Sequence, residues 1–331
     1  MDNSVNQADI QQSILNQQKA DSRRKHVLNL VLLVLLILAP AVMYPVFLMK
    51  ILCFALFAVA FNLLLGFTGL LSFGHAAFLA TGAYTTGYLL STYSSLSTEM
   101  GIFVGTAAST LLGLGFALVA IRRQGIYFAM ITLALSLLVF FFFVQSEFTG
   151  GEDGLHGVPR GYLFGFIDLS NNFSMYYFVL VMFLAAYLFV QRIVTSPYGQ
   201  VLKAIKQNEP RAVSLGYNVN RYKVIAFVIS AGLAGLAGSL KTVVFQLASL
   251  NDAHWHMSGE VILMTLLGGT GTLLGPVVGA TFVVNLEYQL SQGPLGDWVD
   301  AILGGIFVLT VIAFQSGIVG EIQKFMRKNM G

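Results

Sequence analysis

Four ionisable side chains lie inside apolar stretches of this sequence, where they could take part in acid–base or binding chemistry: His75, Lys241, Glu260 and Glu287. Ionisable groups within membrane segments are costly and usually mark a transport path or a proton path. Lys241 and Glu287 stand near segment ends, so a structural role is favoured for both. Core packing is also favoured for His75. Glu260 precedes a glycine-rich break and is the best candidate for a path or a gate.

Other patterns that would support catalysis are absent from the sequence. No GxxxxGK[ST] loop occurs, so the chain has no phosphate-cradling site of the NTPase type. His254 and His256 flank Trp255 with only Asp252 nearby and no cysteine, which is a poor metal-ligand set. No serine lies in a nucleophile-elbow motif. We expect a non-enzymatic chain with no metal, no bound cofactor and no nucleic-acid partner, driven by a partner protein or an ion gradient.

The composition is that of a membrane protein. Of 331 residues, 56% are hydrophobic and 10% are charged, against roughly 25% charged residues in soluble domains. The 34 glycines suit close packing of membrane helices. The single cysteine, Cys53, excludes an internal disulfide framework. These features predict an all-α, polytopic helix bundle that contacts the lipid bilayer.

Apolar stretches predict about ten membrane segments between two polar tails. Residues 1–25 form a polar tail, residues 26–318 the membrane region and residues 319–331 a basic tail. The positive-inside rule places Arg23–Lys25, Arg122 and Arg123 in the cytoplasm, with an acidic loop outside and both termini inside. The expected spans are Val27–Leu38, Val46–Gly66, Leu70–Leu90, Gly101–Ile121, Ile126–Val144, Phe173–Val190, Val224–Leu247, two segments within Met257–Leu290, and Trp298–Phe314.

The ten segments divide into five and five, as an inverted-topology repeat requires. Glycine-rich interruptions occur in both halves: GFTGLLSFGHAAFLATGAY from Gly66, GLAGLAG from Gly232, and GGTGTLLGP at Gly268–Pro276. Broken helices of this kind point to a site near the bilayer midplane. The last break favours two crossings within Met257–Leu290, and a re-entrant segment stays open as an alternative.

One long polar segment, Ser196–Lys223, interrupts the apolar sequence. Ser196 as N-cap with Pro197 at the first helical position predicts a helix to Gln207. Asn208 predicts a second cap, with a short helix at Glu209–Leu215 ended by Gly216. Val201, Leu202 and Ile205 form an apolar stripe flanked by Lys203 and Lys206. The segment therefore suits a partner's groove, and a helix lying on lipid headgroups is an equal alternative.

Three motifs in order resemble the branched-chain amino acid ABC transporter permeases, in particular the larger M-type subunit. They read FNLLLGFTGLLSFGHAAFLATGAY from Phe61, SPYGQVLKAIKQNEPRAVSLGYN from Ser196, and GEVILMTLLGGTGTLLGPVVGA from Gly259. The resemblance implies half of a type II importer for leucine, isoleucine and valine in a bacterial inner membrane. Its partners would be a sister permease, two cytoplasmic ATP-binding subunits that use ATP and Mg, and a periplasmic or lipid-anchored solute-binding protein.

The resemblance also implies two sets of site residues. ATPase coupling would involve Pro197, Tyr198, Gly199, Lys203, Ile205, Glu209, Arg211, Ala212, Leu215 and Gly216. The strict Glu-Ala-Ala form of the family's coupling loop is absent here. The translocation path would be lined by Asn62, Thr68, Ser72, His75, Glu260, Thr265, Gly269 and Thr270. Urea, short amides or aromatic acids are alternative substrates of such a permease. An ion-coupled secondary carrier is an alternative of a different class, with Glu260 as its coupling carboxylate.

Overall fold

The computed structural model describes residues 34–93, 96–293, 296–313 and 317–321. The expected polar tail at 1–25 lies outside the described residues, as does most of the basic tail. The chain divides into two compact units, Met1–Leu48 and Met49–Gly331. In the first unit, residues 34–38 are helical and a 3-10 turn follows at Ala39–Ala41. The second unit carries the features that bear on function.

The described chain is predominantly helical, with four short strands. The α-helices are α1 (Pro45–Thr68), α2 (His75–Thr92), α3 (Thr98–Ala120), α4 (Ile126–Gln145), α5 (Asn172–Thr195), α6 (Pro197–Gln207), α7 (Glu209–Ser214), α8 (Val219–Phe245), α9 (Trp255–Gly268), α10 (Gly275–Ser291) and α11 (Val299–Ala313). The strands are β1 (Leu155–His156), β2 (Tyr162–Leu163), β3 (Ile167–Asp168) and β4 (Leu247–Ala248), with antiparallel pairs β1–β4 and β2–β3.

Five of the described helices, α1, α3, α4, α5 and α8, are long and apolar enough to cross a membrane. Their mean hydropathy runs from 1.8 to 2.5 over the spanning window. Such helices satisfy every backbone hydrogen bond internally, which the bilayer interior requires. The expected polytopic helical membrane protein is confirmed. The count of ten segments and the inverted repeat stay predictions.

Two of the three predicted glycine interruptions are breaks in the structure. The first separates α1 from α2 at residues 69–74, so the expected span Leu70–Leu90 becomes helical only at His75. Gly69 has φ +76°, a left-handed conformation that ends a helix with little strain. The second separates α9 from α10 at residues 269–274, where Gly269 and Gly271 have φ +117° and +77°.

The predicted interruption at GLAGLAG is wrong, because α8 runs unbroken from Val219 to Phe245. Its glycines serve close packing. A Cβ on Gly238 would overlap the carbonyl oxygen of Leu79, and a Cβ on Gly235 would overlap Ser109. The backbones of α8, α2 and α3 therefore approach one another directly, as small residues allow in membrane proteins.

Hydroxyl groups add hydrogen bonds at this three-helix contact. Ser109 Oγ donates to the carbonyl of Phe78 at 2.8 Å, and Ser239 Oγ donates to that of Gly82 at 3.1 Å. Both serines are fully buried. In an apolar environment an unpaired hydroxyl is costly, so these bonds also fix the register of the helices. The helices α2, α3 and α8 form a tightly packed block.

Candidate functional site

The polar segment forms the two capped helices that its sequence predicts. Ser196 Oγ accepts a hydrogen bond from the backbone N–H of Gly199 at 3.3 Å, with Pro197 at the first position of α6. Asn208 Oδ1 accepts one from the N–H of Arg211 at 3.0 Å and caps α7. Gly216 has φ +86° just past α7. The predicted N-caps and the glycine that ends the second helix are confirmed. We call α6 and α7 together the α6–α7 element.

The expected apolar stripe of α6 points into the protein rather than towards a partner. Leu202 is 0% exposed and Ile205 is 3% exposed. Ile205 packs with Ala212 and Val219, against which Val201 and Tyr222 also lie. The interpretation of this stripe as a partner-facing surface is therefore wrong. The stripe instead holds α6 against α7 and the start of α8, because burying aliphatic side chains stabilises that contact.

The residues expected to couple to an ATPase divide by exposure. The exposed members are Pro197, Arg211, Leu215 and Gly216; the partly exposed members are Tyr198, Lys203 and Glu209; the buried members are Gly199, Ile205 and Ala212. Val213 and Tyr217 are exposed as well, at 56% and 41%. An exposed, partly apolar surface thus lies on α7 and the turn after it. The buried members, Gly199, Ile205 and Ala212, lie beneath the surface of the α6–α7 element.

Glu209 joins three parts of the chain at the start of α7. Its Oε2 accepts a hydrogen bond from Lys223 Nζ at 2.7 Å, and its Oε1 accepts one from Gln124 Nε2 at 2.9 Å. Lys223 is only 3% exposed, whereas the Glu209 side chain is 25% exposed. A buried ammonium requires such a partner. Lys223 and Gln124 were missed at the sequence level, since nothing in their local pattern marks them.

Two tyrosines fix the start of α6 against α8. Tyr198 Oη donates to the carbonyl of Tyr222 at 2.8 Å, and the two rings stack with centroids 5.4 Å apart. The Tyr198 hydroxyl is protonated at neutral pH and can donate, and burial raises its pKa further above the ordinary value. The orientation of the α6–α7 element is therefore set by side chains from the first turn of α8.

The loop between α9 and α10 contacts the last two turns of α1. Asn62, on α1, donates from Nδ2 to the carbonyl of Thr272 at 2.8 Å, and its Oδ1 accepts from the N–H of Gly271 at 3.0 Å. Asn62 is 1% exposed. A Cβ on Gly66 would stand 2.7 Å from the nitrogen of Gly271, so only glycine fits there. We call this contact between the last turns of α1 and residues 269–274 the break junction.

Most of the side chains expected to line a path are buried and already hydrogen-bonded. His75 Nε2 pairs with Ser230 Oγ at 2.9 Å, Ser72 Oγ accepts from the N–H of Gly74 at 3.2 Å, and Thr265 Oγ1 donates to the carbonyl of Val261 at 2.8 Å. Thr68 Oγ1 bonds the carbonyl of Leu64. These bonds give each group a structural role. Of the remaining candidates, Gly269 is buried and Thr270 is partly exposed.

Glu260 and His75 each have one buried polar atom without a hydrogen-bond partner among the described residues, and for His75 that atom is Nδ1. Glu260 lies within electrostatic range of Lys50, Lys241, Asp252 and Glu287. Those four form two ion pairs, Lys50–Glu287 at 3.1 Å and Lys241–Asp252. The ion pairs give Lys241 and Glu287 the structural role expected of them, although the pairing itself was not predicted. Glu260 Oε1 has no hydrogen-bond partner among the described residues.

Within the described residues, His254 and His256 do not form a metal centre with their neighbours. His254 Nδ1 accepts from the N–H of His256 at 3.4 Å and caps α9. No group of three or more His, Cys, Asp or Glu side chains suited to a metal ion occurs in the part of the chain that the structure describes. The chain's independence of metals and cofactors stays a prediction.

Comparison with known proteins places these features in context. Residues 43–311 match the protein family described as branched-chain amino acid transport system / permease component. The chain is 29% identical over 284 residues to the high-affinity branched-chain amino acid transport system permease protein LivM of Salmonella typhimurium, across 78% of this chain and 65% of that protein. It thus spans less than two thirds of that relative's length.

Two further relatives are covered more fully. A probable branched-chain amino acid transport permease protein LivM of Methanocaldococcus jannaschii is 24% identical, across 80% of this chain and 89% of that protein. The permease protein LivH of the high-affinity system of Escherichia coli is 24% identical, across 82% and 93%. No solved structure matches the chain. Because the family match covers most of the sequence, from before α1 into α11, the chain belongs to the branched-chain amino acid transport system permease family.

Proposed function

We propose that this chain is a membrane-spanning permease subunit of an ATP-driven ABC importer for branched-chain amino acids. It forms half of the translocation path with a sister permease and itself catalyses no reaction. The observation that carries the proposal is the family match over residues 43–311, which includes both helix breaks and the α6–α7 element. The relatives' names supply the substrate class.

Energy for transport would come from two cytoplasmic ATP-binding subunits, which bind ATP and Mg. The α6–α7 element supports this assignment, because its exposed surface includes Val213, Leu215 and Tyr217 beside Arg211. Apolar anchors with a charged rim are typical of protein interfaces. The alternative, a helix lying on lipid headgroups, is less well supported because the apolar stripe of α6 is turned inwards.

The transport cycle follows from a change in the ATP-binding subunits. Closure of those subunits would shift the α6–α7 element, and re-orientation of the helices would alternate access to a central path. The packed block of α2, α3 and α8 would move as one body, while the chain bends at residues 69–74 and 269–274. In this proposal the chain lies in a bacterial inner membrane with both termini in the cytoplasm, and a periplasmic or lipid-anchored protein delivers the solute.

Copurification from the native membrane, in mild detergent, tests the proposed function. We expect a second permease and two copies of an ATP-binding subunit to accompany the chain, with ATP hydrolysis that rises when the solute-binding protein and leucine, isoleucine or valine are added. Urea, short amides and aromatic acids serve as competing solutes in the same assay. Recovery of the chain alone, without ATPase activity, would exclude the importer.

Glu260 provides the test against an ion-coupled carrier, because a carrier of that kind needs a buried carboxylate that binds the coupling ion. We expect uptake into proteoliposomes to require ATP and to persist when ionophores collapse proton and sodium gradients. A Glu260→Gln variant should retain that dependence on ATP, as should the control Glu152→Gln in the exposed outer loop. Gradient-driven uptake without ATP that disappears in Glu260→Gln would establish the carrier instead.

A further inference from the structure

Lys206 connects the α6–α7 element to the end of α1. Its Nζ donates a hydrogen bond to the carbonyl of Gly66 at 2.7 Å. A Cβ on Gly69 would stand 3.2 Å from Lys206 Cγ, so the lysine chain lies directly on the turn that ends α1. One helical turn earlier, Lys203 Nζ lies 5.9 Å from the centroid of the Phe67 ring. Two lysines of α6 therefore rest on the last turn of α1.

The acceptor of this bond is one that the end of a helix leaves available. The last four carbonyl groups of an α-helix have no partner within the helix, and Gly66 is one of the last four residues of α1. A cation near a helix C-terminus is also favoured by the helix dipole. Lys206 as a whole residue is exposed, and the partial burial of its side chain lowers its pKa from the ordinary value.

The same turn of α1 forms the break junction. Asn62, one turn before Gly66, makes both of its amide hydrogen bonds to residues 271 and 272. Gly66 itself lies against Gly271 with no room for a side chain. The end of α1 thus contacts both α6 and the loop that separates α9 from α10.

We propose that Lys206 is a positioning residue that ties the α6–α7 element to the break junction, so that displacement of α6 moves the end of α1 and the loop 269–274 together. This inference rests on the proposed function, in which the α6–α7 element docks onto an ATP-binding subunit. It assigns to this one charge-assisted hydrogen bond the part of the movement that reaches the end of α1 and the loop 269–274.

The test uses the complete importer in proteoliposomes, with uptake and ATP hydrolysis measured on the same preparation. We expect Lys206→Met to keep its ATP-binding subunits and its ATPase activity, while solute uptake per ATP falls about tenfold, the effect of losing one hydrogen bond to a charged group. Lys206→Arg, which keeps a cationic donor, should restore most of the uptake. Gln207→Met, which changes an exposed residue of the same helix, is the matched control and should stay within about twofold of wild type.

Hydrogen exchange at residues 269–274 provides a second readout. In the wild-type importer we expect a non-hydrolysable ATP analogue to change exchange in this loop, and in Lys206→Met we expect that change to be lost. Should Lys206→Met not accumulate, Lys206→Gln is judged by the same two measurements. Wild-type uptake per ATP in the variants, or loss of the ATP-binding subunits from the complex, would overturn the inference. A wild-type chain without ATP-driven uptake would instead refute the proposed function.

Discussion

Replacing Gly82 with alanine should prevent accumulation of the folded protein. The new Cβ would overlap the carbonyl oxygen of Gly235 and stand 2.7 Å from the Gly235 carbonyl carbon and Cα. These atoms belong to the backbone of α8 and cannot move aside as a flexible side chain would. Forcing α2 and α8 apart costs about 3 kcal/mol, the upper part of the usual range for overpacking. Fluorescence-detected size-exclusion chromatography of a tagged chain measures the result.

Gly115→Ala is the matched control for this change. Gly115 is also a helical glycine, on α3, but apart from its chain neighbours and the adjacent backbone of α3, no described atom lies within 4 Å of its added Cβ. Alanine has a higher helix propensity than glycine by roughly 1 kcal/mol, so the control should be neutral or slightly stabilising. Normal accumulation of Gly82→Ala would contradict the close contact between α2 and α8.

Replacing Glu209 with leucine should strongly destabilise the protein around the α6–α7 element. The substitution removes the carboxylate that pairs with the Lys223 ammonium, and the Lys223 side chain is only 3% exposed. Removing one partner of a buried ion pair costs about 3–5 kcal/mol, and the lower value applies because Glu209 is 25% exposed. We expect a marked drop in the thermal midpoint of the purified chain and a loss of coupled ATPase activity.

A double variant separates this charge effect from a general loss of packing. Glu209→Leu combined with Lys223→Met removes both charges, and we expect it to regain most of the thermal midpoint. Arg211→Leu, which removes an exposed charge from the same short helix, should leave the midpoint unchanged. Equal midpoints for the single and double Glu209 variants would argue against the ion pair as the cause.

Local chemistry explains why parts of the structure could be predicted from the sequence. Ser196 and Asn208 act as caps and Gly216 as a stop because each bonds or turns the backbone within a few residues of itself. The break at residues 269–274 follows from glycines that adopt positive φ. Such signals depend on sequence neighbours alone, and so they can be read without a structure.

Contacts between distant segments explain what could not be predicted. The glycines of GLAGLAG do not interrupt α8, because α2 and α3 fill the groove that those glycines create. Leu202 and Ile205 looked like a partner-facing stripe, but α7 and α8 cover them. The sequence predicted only that Lys206 flanks the apolar stripe of α6. Its hydrogen bond to the Gly66 carbonyl could not be predicted, because the two residues are 140 positions apart. Periodicity identifies an apolar or charged face and does not specify what covers it.

The use of main-chain partners at the break junction has a genetic consequence. Lys206 donates to the carbonyl of Gly66, and Asn62 bonds the carbonyl of Thr272 and the N–H of Gly271. Every residue type except proline carries the same backbone groups. No compensating side chain can therefore arise opposite Lys206 or Asn62. Second-site suppressors of changes at these positions should reshape the loop backbone instead, and correlated substitutions between the paired positions should be rare among homologues.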